Sequence, residues 1–161
     1  MEKIICRNIE DVNNSGLFRY RNLLDGNAYK IGEAPVEFFR DLAFADLGLE
    51  HPSFSIVRAK KRELIIDEVE QHYKTEEAIM PLDGDAILFA AKASSEKPIE
   101  FEAFYVPAFT LVVFERGVWH KAPYALNEVL NSLVVLPPLT YINDCTVIKL
   151  DSPIKIEKEC L

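Results

Sequence analysis

The chain has 161 residues, 49% of them apolar and 27% charged, with a net charge of −8. That length suits one domain with a sizeable core, and the acidic balance argues against nucleic acid or an anionic membrane surface as a partner. No stretch approaches the roughly 20 apolar residues needed to span a bilayer, and Met1-Glu2-Lys3-Ile4-Ile5-Cys6 lacks the apolar run of a secretory signal, so a cytoplasmic protein is expected. Cys6, Cys145 and Cys160 are odd in number and widely spaced, which suggests neither a disulfide framework nor a thiolate metal knuckle.

The N-terminal third, about residues 1–50, reads as irregular segments and short strands packing on the rest of the domain. Asp25-Gly26-Asn27 is a turn signal, and the run from Val36 to Ala43 could be a strand or a short helix. From Ser53 onward short β segments succeed one another. Phe54–Arg58 alternates, and Leu64–Glu70 leads into a polar cluster. Ala78–Leu82 and Ala86–Ala91 flank the tight turn Asp83-Gly84-Asp85. Phe101–Val106, Thr110–Phe114, Val129–Leu136 and Thr146–Leu150 are further strands, the third ending at Pro137-Pro138. No helical stripe of 12 or more residues stands out, so the expected class is all-β, a sandwich or barrel with one or two short helices.

The chemistry concentrates in two motifs. In Glu70-x-His72, the two side chains project to one face of a strand. Glu77 opens the next element and can reach the same space, and Gly84 is read as a turn glycine. Gly117-Val118-Trp119-His120 brings a second imidazole from a distant segment. Glu70, His72, Glu77 and His120 together suit a divalent metal such as Mn, Fe, Ni or Zn with open coordination positions, and no organic cofactor is expected. Plainer readings apply to the neighbours. His51 sits in a loop beside Pro52, Glu68 and Glu76 suit a solvated strand edge, Lys60-Lys61-Arg62 an exposed basic turn, and Trp119 could equally be core.

These residues carry a resemblance to the cupin superfamily, whose two-motif signature His72, Glu77, Gly84, Gly117 and His120 match. The chain departs from it with Glu70 at the first histidine position, Glu115 at a proline and Tyr124 at an asparagine. The resemblance implies a cupin-type double-stranded β-helix, a jelly-roll barrel over residues 1–161, and a homodimer, since outer β edges need cover.

Within the cupins the chain resembles the ureidoglycolate lyase family, formerly called ureidoglycolate hydrolases. The segments carrying this are Val36–Ala43, Phe54–Ala59, Asp67–His72, Ala78–Gly84 and Arg116–His120, with Asn143-Asp144-Cys145 near the end. The resemblance implies cleavage of ureidoglycolate, a small carboxylate, to glyoxylate and urea in purine catabolism. Such a reaction needs a base at the hydroxyl, a proton donor for the leaving nitrogen and a cation for the carboxylate. His72, His120 and Glu70 are the candidate catalytic residues. Arg58 and Arg116 are the candidate carboxylate anchors, and Trp119 is a candidate pocket wall. The family carries an amide at the position of Glu77, and His and Asn at those of Glu115 and Gly117. These departures keep two alternatives open: another metal-dependent cupin enzyme, an isomerase or oxygenase on a small acid or sugar derivative, and a non-catalytic ligand-binding cupin.

Overall fold

The structure, a computed structural model, describes residues 1–25, 30–31, 37–48, 51–94 and 97–158. In chain order its strands are β1 (Glu2–Asn8), β2 (Phe18–Asn22), β3 (Lys30–Ile31), β4 (Phe38–Phe39), β5 (Ser53–Lys60), β6 (Ile65–Gln71), β7 (Glu77–Pro81), β8 (Ala86–Lys92), β9 (Ile99–Val106), β10 (Thr110–Phe114), β11 (Tyr124–Ala125), β12 (Val129–Leu136) and β13 (Thr146–Lys158). A one-turn helix, α1 (Thr140–Asn143), and a 3-10 turn at Ile9–Asp11 are the helical pieces among the described residues. The run from Val36 to Ala43 therefore holds a two-residue strand where it is described, and Gly26, Asn27, Val36 and Cys160 lie outside the described residues. None of the described helices is long and apolar enough to cross a membrane.

The larger sheet runs β11-β8-β9-β1-β13-β6 and the second β2-β10-β7-β12-β5, an all-β, cupin-type barrel architecture. The larger sheet curls on itself. Trp119 exchanges two backbone hydrogen bonds with Ala91 of β8, and the adjacent His120 exchanges two with Glu70 of β6. One short segment thus joins the β6 edge back to β8.

Side-chain alternation then creates two apolar cores. Leu88 and Phe104 meet Ile79, Val112, Phe114 and Val134 between the two sheets. Inside the curled sheet, Ile87, Phe89 and Ala91 pack with Cys6, Ile66, Val69, Trp119 and Ile156. The unbroken apolar run of β8 reflects this, because both of its faces are buried.

Two expectations need correction. The first residues are not an irregular segment laid on a barrel. β1 lies inside the larger sheet, parallel to both β9 and β13, and β2 pairs with β10. Ile4 and Cys6 face the second core, and the strand is completed by partners about 100 residues away on β9 and about 150 away on β13, which no local pattern announces. Likewise β13 continues past Leu150 to Lys158, its pairing with β6 shifting between Lys149 and Ile154 around Pro153.

Candidate metal and substrate site

His72 comes directly after the last residue of β6, Glu77 opens β7 of the other sheet, and His120 lies in the segment that closes the curled sheet. The site therefore sits where the two sheets meet. The three residues are 5%, 8% and 2% exposed respectively. Glu77 Oε2 lies 3.1 Å from His72 Nε2 and 3.2 Å from His120 Nε2. The imidazoles stand 5.3 Å apart at 63°, and Phe114 stacks on the His120 ring at 4.6 Å. Glu70 completes a group with His72 and His120 whose ligand atoms lie within 4.8 Å of one another.

Backbone contacts fix this geometry. The Asp144 carboxylate accepts hydrogen bonds from the Tyr73 and Lys74 amides, and the Gly117 amide donates to the His72 carbonyl. Gly117 has φ +75, and a Cβ there would meet Ala93 Cβ at 3.3 Å, so the turn needs glycine. Gly84, expected to be a turn glycine, adopts no positive φ. A Cβ there would come within 3.3 Å of Asn127 Nδ2, so that side chain would have to shift by a few tenths of an ångström.

The other ring nitrogens decide what the site can hold. His72 Nδ1 lies 2.6 Å from the Asp144 carbonyl and His120 Nδ1 lies 3.0 Å from the Val118 carbonyl. A carbonyl only accepts, so both Nδ1 atoms carry the proton and both Nε2 atoms turn inward. This is the arrangement by which ligating histidines are oriented. Two inward Nε2 atoms and a carboxylate oxygen then face one another, and either extra protons or a cation must sit between them. Residues and geometry fit a divalent cation on Glu70, His72 and His120, with Glu77 Oε2 beside both imidazoles.

Without a cation, electrostatics do the same work. Burial alone would push the Glu77 carboxyl up, but the charges and hydrogen bonds of His120 and His72 hold it down at about 2. Burial disfavours charge on His72, yet the hydrogen bond and charge of Glu77 outweigh it and raise its pKa.

Three sequence candidates are not brought to this centre. Arg58 is exposed and donates from Nε to Asn131 on the outer face of the β5–β12 pair, because the inward positions beside it belong to Val57 and Ala59. Arg116 is exposed and pairs with Asp46 at 2.7 Å. Trp119 is no pocket wall. It is 1% exposed in the second core, because its neighbour His120 takes the opposite face of the same extended segment. Tyr124, at the asparagine position of the cupin signature, is also buried in that core and donates to the Ile65 carbonyl.

Other residues have more defined places than expected. Glu76 is buried beneath Arg19, which grips both its oxygens at 2.8 Å, and it accepts the Asp46 amide. Arg62, in the basic turn, lies 4.0 Å over the Tyr124 ring and donates to the Ala122 and Pro123 carbonyls. Lys121 was not among the residues expected at the site, yet its Nζ lies 3.2 Å from Glu70 Oε2 and 2.6 Å from Glu68 Oε1. Its place directly after the motif histidine was the available signal.

Among protein families, the ureidoglycolate lyase model matches residues 10–157. No curated protein matches the chain. Among solved structures, the chain is similar to RmlC from Streptococcus suis in complex with dTDP-D-xylose, at 15% identity and TM-score 0.37, over 53% of this chain and 43% of that one. It is similar to the dTDP-6-deoxy-D-glucose-3,5-epimerase RmlC from Legionella pneumophila Philadelphia 1, at 13% identity and TM-score 0.45, over 87% and 78%. A third, dTDP-4-dehydrorhamnose 3,5-epimerase from Elizabethkingia anophelis NUHP1, gives 12% identity and TM-score 0.38 over 63% and 53%. The chain thus spans less than half the length of the first of these proteins.

Proposed function

The chain belongs to the ureidoglycolate lyase family, and from that membership we propose that it cleaves ureidoglycolate, or a related small hydroxy acid, to glyoxylate and urea. The observation supporting chemistry at this site is the inward-facing set of His72 Nε2, His120 Nε2 and Glu77 Oε2, with Glu70 beside it.

The substrate carbon carries a hydroxyl, a carboxylate and a ureido nitrogen. Collapse breaks the carbon–nitrogen bond while the oxygen keeps its electron pair as the new carbonyl. The hydroxyl proton leaves, and the departing nitrogen must gain one. Glu70 is the member of the set on the open side, its side chain 25% exposed, whereas Glu77 is enclosed between the imidazoles. Glu70 is therefore suited to take the hydroxyl proton and return it to the urea nitrogen, one proton cycled by one carboxylate. His72, His120 and one oxygen of Glu70 would hold a divalent cation, which when bound supplies Lewis-acid polarisation of the substrate oxygens. The apolar surround from Phe114 and the paired sheets excludes water from the buried side.

A metal-dependent isomerase or oxygenase is the second reading. It is favoured by Glu77 itself, a carboxylate where the lyases carry an amide. Urea release from ureidoglycolate separates the two. The proposed function predicts release by the wild type, at least 100-fold slower turnover in Glu70→Gln with metal retained, and loss of metal in His120→Gln. Metal loading without urea release would overturn it.

A further inference from the structure

The reaction proposed above needs a cation for the substrate carboxylate, and both arginines expected in that role lie elsewhere. Among the described residues, Lys121 is the cation in contact with the candidate centre, through Glu70. Its side chain is 27% exposed, so its charge is only partly screened by water. It also borders an open groove formed with Arg62, Ile65, Asp67, Glu68 and Tyr124. Lys121 thus borders this groove with its backbone segment and touches Glu70 of the candidate centre with its ammonium.

We propose that Lys121 is the anchor for the substrate's carboxylate, reached from this groove. This rests on the hydroxy-acid lyase reading.

Its two existing partners are unequal. Glu68 holds the ammonium at 2.6 Å, whereas Glu70 lies at 3.2 Å. An incoming carboxylate replaces Glu70 at the ammonium while Glu68 keeps the side chain in place. Lys121 is paired before and after, so its partly buried ammonium is never left without a partner. Displacement also releases Glu70 toward the substrate hydroxyl. The backbone beneath is pinned by Arg62, which donates to the carbonyls of Ala122 and Pro123 and stacks on Tyr124. The anchor is therefore built on a fixed segment, the same one that carries His120.

The test compares glycolate with glycolamide, its neutral counterpart, by NMR titration of the protein as purified. It adds urea-release kinetics and elemental analysis of Lys121→Gln and Lys121→Arg. Wild type should prefer glycolate at least tenfold. Lys121→Gln should lose that preference, raise KM for ureidoglycolate tenfold or more with kcat within threefold, and retain metal at the wild-type ratio. Lys121→Arg should keep most of the preference. An unchanged preference in Lys121→Gln overturns the proposal. In the unaltered protein, glycolate but not glycolamide should protect Lys121 from reductive methylation, read by mass spectrometry, and equal labelling overturns the proposal without any variant having to fold. A lysine-dependent glycolate preference without urea release would sink the lyase reading and leave the anchor standing. Urea release with KM unaffected by Lys121→Gln would sink the anchor alone.

Discussion

Glu77→Gln in metal-free protein isolates the electrostatics of the site. The substitution keeps the shape of the side chain and removes its charge. In the wild type, one oxygen serves both imidazoles at 3.1 and 3.2 Å from a position 8% exposed. The fall of the carboxyl from its ordinary 4.5 to about 2 corresponds to about 3 kcal/mol of favourable interaction. Two hydrogen bonds to charged groups, at roughly 1.5–3 kcal/mol each, reach the same range. The Glu77 contribution is present above the unfolded carboxylate range and lost as pH falls from about 4.5 toward about 2. The raised pKa of His72 acts in the opposite sense, its contribution being full below the unfolded imidazole value of about 6.5 and lost as pH rises through the folded value. The stability difference between wild type and variant should therefore be about 3 kcal/mol between about pH 4.5 and 6.5, shrinking on either side. Denaturation in the presence of a chelator, followed by fluorescence of the single Trp119, measures it. A difference that does not vary with pH, or one below about 0.5 kcal/mol throughout, would refute the charge pairing.

Arg58→Ala and Arg116→Ala should leave KM for ureidoglycolate within twofold of wild type, because both guanidinia are engaged away from the imidazoles. A tenfold rise in either would return that arginine to the pocket. Glu76→Gln should cost about 2 kcal/mol at neutral pH through the loss of charge opposite Arg19 and the Asp46 amide. Its carboxyl is held below the ordinary range chiefly by the Arg19 hydrogen bond, so the cost should fade as pH drops below about 4.5, visible as converging unfolding curves. Trp119→Ala should destabilise the protein by about 3–5 kcal/mol, because a fully enclosed ring is removed from the second core. A loss below about 1 kcal/mol by calorimetry would show that the curled sheet does not depend on that ring.

Local pattern was sufficient for much of this molecule. Thr110–Phe114 and Val129–Leu136 are strands with the bounds read from the sequence, the second because one buried face imposes a period of two. That His72, Glu77 and His120 come close together was likewise legible from their motif spacing, which puts His72 just after β6, Glu77 at the start of β7 and His120 in the segment that pairs with β6. Which face a residue takes at a junction was not legible. Trp119 and His120 are neighbours in sequence, yet one fills a core and the other faces a carboxylate. That division arises from the backbone pairing of a single segment with both β6 and β8. The same holds for the cations. Arg58 and Arg116 have the guanidinium that suits a carboxylate, but a side chain's reach depends on partners distant in the chain. Asn131 and Asp46 take the arginines, and Glu68 and Glu70 bring Lys121 to the site. Residue type and spacing therefore determined which titratable side chains could gather at one place. Tertiary pairing decided which charges share a dielectric and which are turned to water, because those depend on contacts between segments that no local pattern encodes.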